Sequence, residues 1–408
     1  MNNTFSSRVR YVLYELSGFL ILGALAGMLW ANIDQESYHA FVEFSLADSH
    51  GEESSKHHYN LHFLVNGFFM AFFFALAGKE VWEALLPGGS LSGFKKAAMP
   101  LMATVGGMAG PALLFLLGAH LTDSMHLSNG WAVPCATDIA FSYLAARVVF
   151  GKMHPAIPFL LLIAIADDAD GLIILATCYP SAHMNMWAFI VLVGLAVGMA
   201  MLFRRQKVLR WQYYMIGPGL ISWVGFALGG IEPALGFVPV IPFLPHAKSD
   251  IGVFAREELD RKDTLSQLEH DTFPYVQVIL GLFGLVNAGV VFDNAGTATV
   301  LITTSLLIGK PLGILGMSLL GYAIGLRLPE GLTFRHVLVL GISAGIGFTV
   351  ALFVATVAYV PGIGGVTQAE LDAAKMGALL SIFAFGFTII AGRLLRVQKI
   401  TEEETTIS

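Results

Sequence analysis

Residues 155–177 read PAIPFLLLIAIADDADGLIILAT, and their only ionisable side chains, Asp167, Asp168 and Asp170, crowd into four positions near the middle. About 20 apolar residues carry an α-helix across a hydrocarbon core of about 30 Å, so the length of the run predicts a membrane crossing. The charges oppose it. One aspartate at the centre of a crossing costs about 2.5–3.5 kcal/mol even on the mildest scale, and three need protons, cations or a buried base beside them. At about 100° per residue, Asp167 and Asp170 sit about 60° apart, while Asp168 points about 100° away from Asp167. They cannot all face one cation equally.

The rest of the chain agrees with a membrane setting. Of 408 residues, 56% are hydrophobic and 13% charged, with a mean hydropathy of +0.70; a soluble domain carries about 25% charged residues. Apolar runs of helical length recur, without the period-2 alternation of a transmembrane barrel. The fold class is therefore all-α integral membrane, a single polytopic domain over 1–408. A net charge of −6 and the absence of a long basic run give no reason to expect nucleic acid. Two cysteines, Cys135 and Cys178, make neither a disulfide framework nor a four-ligand zinc site, and no cofactor is called for. The run from Ser17 to Trp30 follows Arg8 and Arg10 but lacks a cleavage site, so it is taken as the first crossing.

Twelve crossings are expected, at about 17–32, 62–86, 99–121, 129–150, 155–177, 184–203, 211–228, 231–245, 274–291, 298–325, 337–359 and 373–396. With these boundaries nineteen of the 23 basic residues, including those of both tails, fall on one side. Short cytoplasmic loops are rich in Lys and Arg, which puts both termini in the cytoplasm. Lys56 and Lys375 lie on the other side, and Lys79 and Lys310 lie inside crossings. The external loop 33–60 is acidic and holds His50, His57 and His58, but only Glu53 and His57 are spaced as a helical pair, so it reads as a solvated loop rather than a metal site. The charged stretch 250–271 is expected as a cytoplasmic helical segment along the membrane interface.

Crossings 3–5 (99–177) and 10–12 (298–396) are seven apart, an odd number, so the two triplets enter the membrane from opposite sides, as in an inverted repeat. The middle member of each is interrupted: Gly130-Trp-Ala-Val-Pro134-Cys-Ala-Thr137-Asp138 in one, and Gly341-Ile-Ser343-Ala-Gly345-Ile-Gly347-Phe-Thr349 in the other. Pro134, Gly341, Gly345 and Gly347 are the expected break residues. Asp138 and Lys310 also fall near the midplane. If the two interrupted crossings meet at their breaks, paired helix N-termini need an anion and paired C-termini a cation, and Asp138 and Lys310 are the candidates. Three acids in crossing 5 against one base leave two negative charges that a dry pocket holds only by protonation. A site that loses protons to take a cation, and the cation to take protons, is an exchanger.

These residues together resemble the NhaA-type bacterial sodium/proton antiporters, from about residue 15 to 398. The landmarks are Gly78-Lys-Glu80-Val, the Gly130 to Phe141 segment, Asp167-Asp168, Leu268-Glu269-His270, Asn287-Ala-Gly-Val290, Ile308-Gly-Lys310-Pro-Leu-Gly-Ile314 and Gly345-Ile-Gly-Phe-Thr349. The resemblance implies a multi-pass protein of the bacterial inner membrane, set in lipid. It implies electrogenic extrusion of Na+ or Li+ in exchange for H+ by alternating access, with pH regulation and a homodimer through loop 33–60. It further implies Asp168 as principal cation ligand, Asp167 as the partner of Lys310, and Na+ held by Asp168, Asp167 and Asp138, with Thr137 lining the site. Glu80, Glu269 and His270 match positions linked to pH response. Three departures stand out: Asp170 adds a titrating group where the family has glycine, Gly67 follows Asn66 where an aspartate is expected, and Glu232 replaces a histidine tied to pH response. Lys79 and Glu83 are expected to snorkel at a crossing's end.

An intramembrane aspartyl protease would need two carboxylates sharing a proton. Asp138 and Asp167 fit that loosely, but such an enzyme has no use for Lys310, and no enzymatic activity is expected. A channel would show rings of carbonyls or charges around a symmetric pore, which nothing here repeats. A sodium-coupled solute symporter on a related fold is the alternative.

Overall fold

The computed structural model describes residues 18–45, 60–87, 94–151, 153–179, 185–246, 263–362, 365–397 and 399. Among them the chain is helical throughout, apart from one isolated antiparallel bridge between Ser45 and Asn60. The helices are α1 (Gly18–Ile33), α2 (Gln35–Val42), α3 (Leu61–Leu85), α4 (Phe94–Leu121), α5 (Ile139–Phe150), α6 (Ala156–Cys178), α7 (Met186–Arg205), α8 (Leu220–Gly229), α9 (Thr264–Asn287), α10 (Thr297–Ala323), α11 (Phe334–Ala344), α12 (Phe348–Ala358) and α13 (Gln368–Leu394). Among the described residues, α3, α4, α7, α10 and α13 are long and apolar enough to cross a membrane. Two bent pairs add to these: the 3-10 stretch Met125–Cys135 with α5, at 57°, and α11 with α12, at 53°.

Three segments depart from the expected crossings. Residues 231–245 form only two 3-10 turns, Pro233–Leu235 and Val238–Phe243. Eleven residues at about 2.0 Å of rise reach about 22 Å, short of the about 30 Å core. Pro233, Pro239 and Pro242 remove the amides that an α-helix would need. Residues 264–271 are not a separate interfacial segment but the first turns of α9, which starts at an Asp263 cap (Ser266 N to Oδ1, 2.8 Å) and continues through Pro274; residues 250–262 lie outside the described residues. Gly341, expected at a break, lies inside α11.

The chain divides into two compact units, Met1–Leu16 with Ser90–Gly171 and Phe292–Ser408, and Ser17–Gly89 with Leu172–Val291. In the first unit α4 and α10 pack backbone to backbone: a methyl at Gly106 would lie 2.1 Å from the Gly313 carbonyl oxygen, and one at Gly110 would lie 2.4 Å from that of Gly309. In lipid the attraction between helices comes largely from such close packing of small residues. Gly341 serves the same end, since a methyl there would come 2.9 Å from Pro311 Cα. Phe150, Phe159, Leu160, Ile163, Ile314, Val337 and Leu340 form a buried apolar cluster in this unit.

The second unit repeats the device between α1 and α9, where a methyl at Gly23 would lie 1.9 Å from the Gly281 carbonyl oxygen and one at Gly27 would lie 2.3 Å from that of Leu285. Asn66 on α3 and Asn287 at the end of α9 exchange side-chain hydrogen bonds of 3.0 and 2.8 Å. Two buried amides thus satisfy each other across two helices.

Candidate functional site

The break between Cys135 and Ile139 runs extended, and Asp138 is the cap of α5. Aspartate suits that place because its carboxylate accepts the amides that the first turn leaves open. Here it does so twice. Oδ1 accepts from Phe141 N at 3.2 Å, in the first turn of α5, while Oδ2 accepts from Thr349 N at 3.2 Å and from Thr349 Oγ1, in the first turn of α12. One carboxylate, 5% exposed, therefore serves the N-termini of both half-helices, each equivalent to about half a positive charge.

The two breaks also bond directly. Asp138 N donates to Ile346 O at 2.7 Å, and Ser142 and Ser343 each donate from Oγ to the other's carbonyl, at 2.8 and 2.6 Å. Gly345 and Gly347 stand at the second break with ordinary negative φ. They are small because space demands it: a methyl at Gly345 would lie 2.6 Å from Leu306 O.

Lys310, fully buried in α10, lies at the other pole. Its Nζ donates to Cys135 O, a terminal carbonyl of the 3-10 stretch, and stands 3.1 Å from Asp167 Oδ2. The same Oδ2 accepts from Thr137 Oγ1 at 2.7 Å, and Thr137 also reaches Ala344 O at 3.3 Å. Asp167 Oδ1 is buried and has no hydrogen-bond partner among the described residues. An acceptor without a donor in a dry site is where a proton or a cation is worth most. Asp168, about 100° round α6 from Asp167, and Asp170, about one turn further along than Asp167, are half-buried.

The structure thus brings together Asp167, Lys310, Thr137 and the breaks, with Asp138 spent on the two half-helices. Among the described residues no three carboxylate, histidine or cysteine side chains gather as metal ligands. About 100° of helical turn separates Asp168 from Asp167, and both oxygens of Asp138 accept from amides, those of Phe141 and Thr349. Thr349, Ser381, Ser142 and Ser343 were not assigned from sequence. Ser381 Oγ accepts from Gly347 N at 3.1 Å and Phe348 N at 3.2 Å. The signal was there in small hydroxyl residues inside apolar helices, but only the fold says which amides they meet.

The expected pH-response residues belong to the second unit. In the second unit Lys79 Nζ stands 2.5 Å from Glu83 and 2.6 Å from Glu269. At 2% and 7% exposure Lys79 and Glu83 do not snorkel; each is buried because an opposite charge is at hand. Glu80 is half-buried on the same helix and His270 is exposed beside Glu269 on α9. Glu232 accepts from Ala234 N at 3.4 Å and caps a 3-10 turn.

The family described as Na+/H+ antiporter 1 matches residues 14–391. The chain belongs to that family. A Na+/H+ antiporter NhaA of Jannaschia sp. (strain CCS1) is 46% identical, over 93% of this chain and 96% of its own length. One of Desulfitobacterium hafniense (strain DSM 10664 / DCB-2) is 43% identical, over 96% and 97%. Among solved structures, the sodium proton antiporter MjNhaP1 of Methanocaldococcus jannaschii matches with a TM-score of 0.52, covering 93% of this chain and 98% of that one. At 13% identity it speaks for the fold alone.

Proposed function

We infer that this family member exchanges Na+, and Li+ by the same chemistry, for H+ across the bacterial inner membrane by alternating access, and that it is not an enzyme. The observation that carries the reading is the buried pair of Asp167 and Lys310, with an open carboxylate oxygen on Asp167 and Asp168 next in the chain. A cation held by Asp168, with Asp167 completing its shell, competes with Lys310 for Asp167. Protonation of the two carboxylates releases it. Two protons for one monovalent cation move one net charge per cycle, so exchange is electrogenic, and Asp170 is the third group that tunes the count. Asp138 and Lys310 hold the half-helix ends in register and keep their partial charges matched as the site changes load.

The chain is expected to lie in lipid with about twelve crossings, provided that 231–245 spans together with the residues flanking it, with an inverted repeat of 99–177 and 298–396, both termini cytoplasmic, and a homodimer through loop 33–60, of which 46–59 lie outside the described residues. Glu80, Glu232, Glu269 and His270 are the groups through which pH would reach the second unit. The test is proton flux in reconstituted vesicles on addition of Na+, Li+ or K+, from mildly acid to alkaline pH. Wild type should release protons on cation addition, Asp167→Asn and Asp168→Asn should each abolish the response, and Lys310→Ala should move the pH profile. No cation response in folded wild-type protein at any pH would overturn the reading.

A further inference from the structure

Two histidines outside the carboxylate site face each other in the first unit. His154, 5% exposed, and His336, half-buried, have ring centroids 5.1 Å apart at 75°, and Phe150 packs on both at 5.1 and 5.9 Å. Their hydrogen bonds fix their protonation. His154 Nδ1 accepts from Ala156 N at 3.0 Å, the first amide of α6, the helix that bears Asp167 and Asp168. His336 Nδ1 accepts from Thr333 N at 3.0 Å, in a capping box that starts α11. A nitrogen that accepts an amide N–H is the unprotonated one, so both rings are neutral with the proton on Nε2. A second proton can enter only at Nδ1, and there it displaces the amide.

We propose that His154 and His336 form a proton-binding site, separate from the transport carboxylates, whose filling uncaps α6 and α11 and turns exchange off at acid pH. The inference rests on the antiporter reading for its consequence, not for the site itself. Protonation is opposed three ways: each cap is lost, each positive charge sits at a helix N-terminus where the macrodipole disfavours it, and the two charges repel. Burial, and then the facing His336, already hold the His154 imidazole below its ordinary value. The charged side chains on the elements around the pair are mainly basic: Arg147 on α5, Arg327 and Glu330 before α11, Arg335 on it, and Arg393 and Arg396 at the end of α13. Among the described residues no carboxylate pairs with either ring. Asp167 is eleven residues along α6 from Ala156, about 16 Å, so the two proton sites are distinct.

The sign follows. With a folded-state value below the unfolded one, the caps are fully formed at alkaline pH and are lost as pH falls. The test replaces both rings with acceptors that do not titrate: His154→Asn, and His336→Gln, which suits the third position of a capping box. The double variant should keep the wild-type rate at alkaline pH and shift the acid half-point of Na+-driven flux down by about one pH unit, a tenfold change in proton concentration; superimposable profiles overturn the proposal. A second readout needs neither variant nor transport. Amide exchange in the wild-type chain, corrected for intrinsic rate, should show protection of residues 154–158 and 331–337 falling with pH. Protection that does not change with pH overturns the proposal as well. A chain that shows this fall but no cation-driven flux would sink the antiporter reading and leave the proton site standing.

Discussion

At Lys310 three groups depend on one ammonium: Asp167 Oδ2 at 3.1 Å, the Cys135 carbonyl, and, through Asp167, the Thr137 hydroxyl. Removing one member of a buried pair leaves the other charged and alone, which costs about 3–5 kcal/mol, whereas removing both leaves neither. Lys310→Ala alone should therefore lower the melting temperature in detergent more than Lys310→Ala with Asp167→Asn, and equal or additive losses would show that the pair is not coupled. Ser381 allows a similar test with neutral groups. Its Oγ is the acceptor for two amides at the start of α12, and a buried donor left without a partner costs about 1–3 kcal/mol. Ser381→Ala should destabilise on that scale and Ser381→Thr should restore most of the loss, read by thermal unfolding. Residues of this kind mark the limit of what was legible beforehand. Asp138 and Lys310 could be assigned to helix ends because charge at a midplane demands a partner. The hydroxyls could not, since a serine in an apolar run is unremarkable until its neighbour across the fold is known.

Between elements, the glycine contacts set how α4 carries α10 and hence how Lys310 meets Asp167. A methyl at Gly110 would lie 2.4 Å from the Gly309 carbonyl oxygen and 2.7 Å from Gly313 Cα, and backbone cannot step aside as a side chain can. Gly316, on the same α10, has nothing within 4 Å of the same added atom. Overpacking costs about 1–3 kcal/mol, so Gly110→Ala should lose stability on that scale and cut cation-driven flux by pushing the helices apart. Gly316→Ala should be close to neutral in both. A loss at Gly316 equal to that at Gly110 would mean that the glycines matter for backbone freedom rather than approach. The same distinction explains where the expected breaks went astray. Gly341, Gly345 and Gly347 look alike in sequence, yet Gly341 sits in an unbroken helix against Pro311 while the chain bends only after Ala344. Likewise 231–245 is apolar enough for a crossing, but its prolines divide it into 3-10 turns, which hydropathy does not register.

Over the whole molecule, composition and apolar run length were enough for the class, and the order of motifs was enough for the family, because both are sums over many residues and forgive local error. The division into two compact units was not legible, since it joins segments 120 residues apart and passes through α6 after Gly171. Orientation rests on a sum of the same kind. Nineteen of 23 basic residues, tails included, fall on one side of the twelve expected crossings; a boundary shift of a few residues leaves that bias, whereas the loss of a whole crossing, such as the short 231–245, would move every later basic residue to the other side. On the same expectation the His154–His336 pair, near Arg147 and Arg335 in the sequence, belongs to that side, and the proposed proton site would sample cytoplasmic pH. A fluorescent protein fused after Ser408 should therefore fold and fluoresce in intact cells, and alkaline phosphatase fused there should be inactive, while phosphatase fused at Gly362, between α12 and α13, should be active. If the two positions report the same side, α13 does not cross. An active phosphatase at the C-terminus with an inactive one at Gly362 would reverse the orientation and place the histidine pair where it senses the external medium instead.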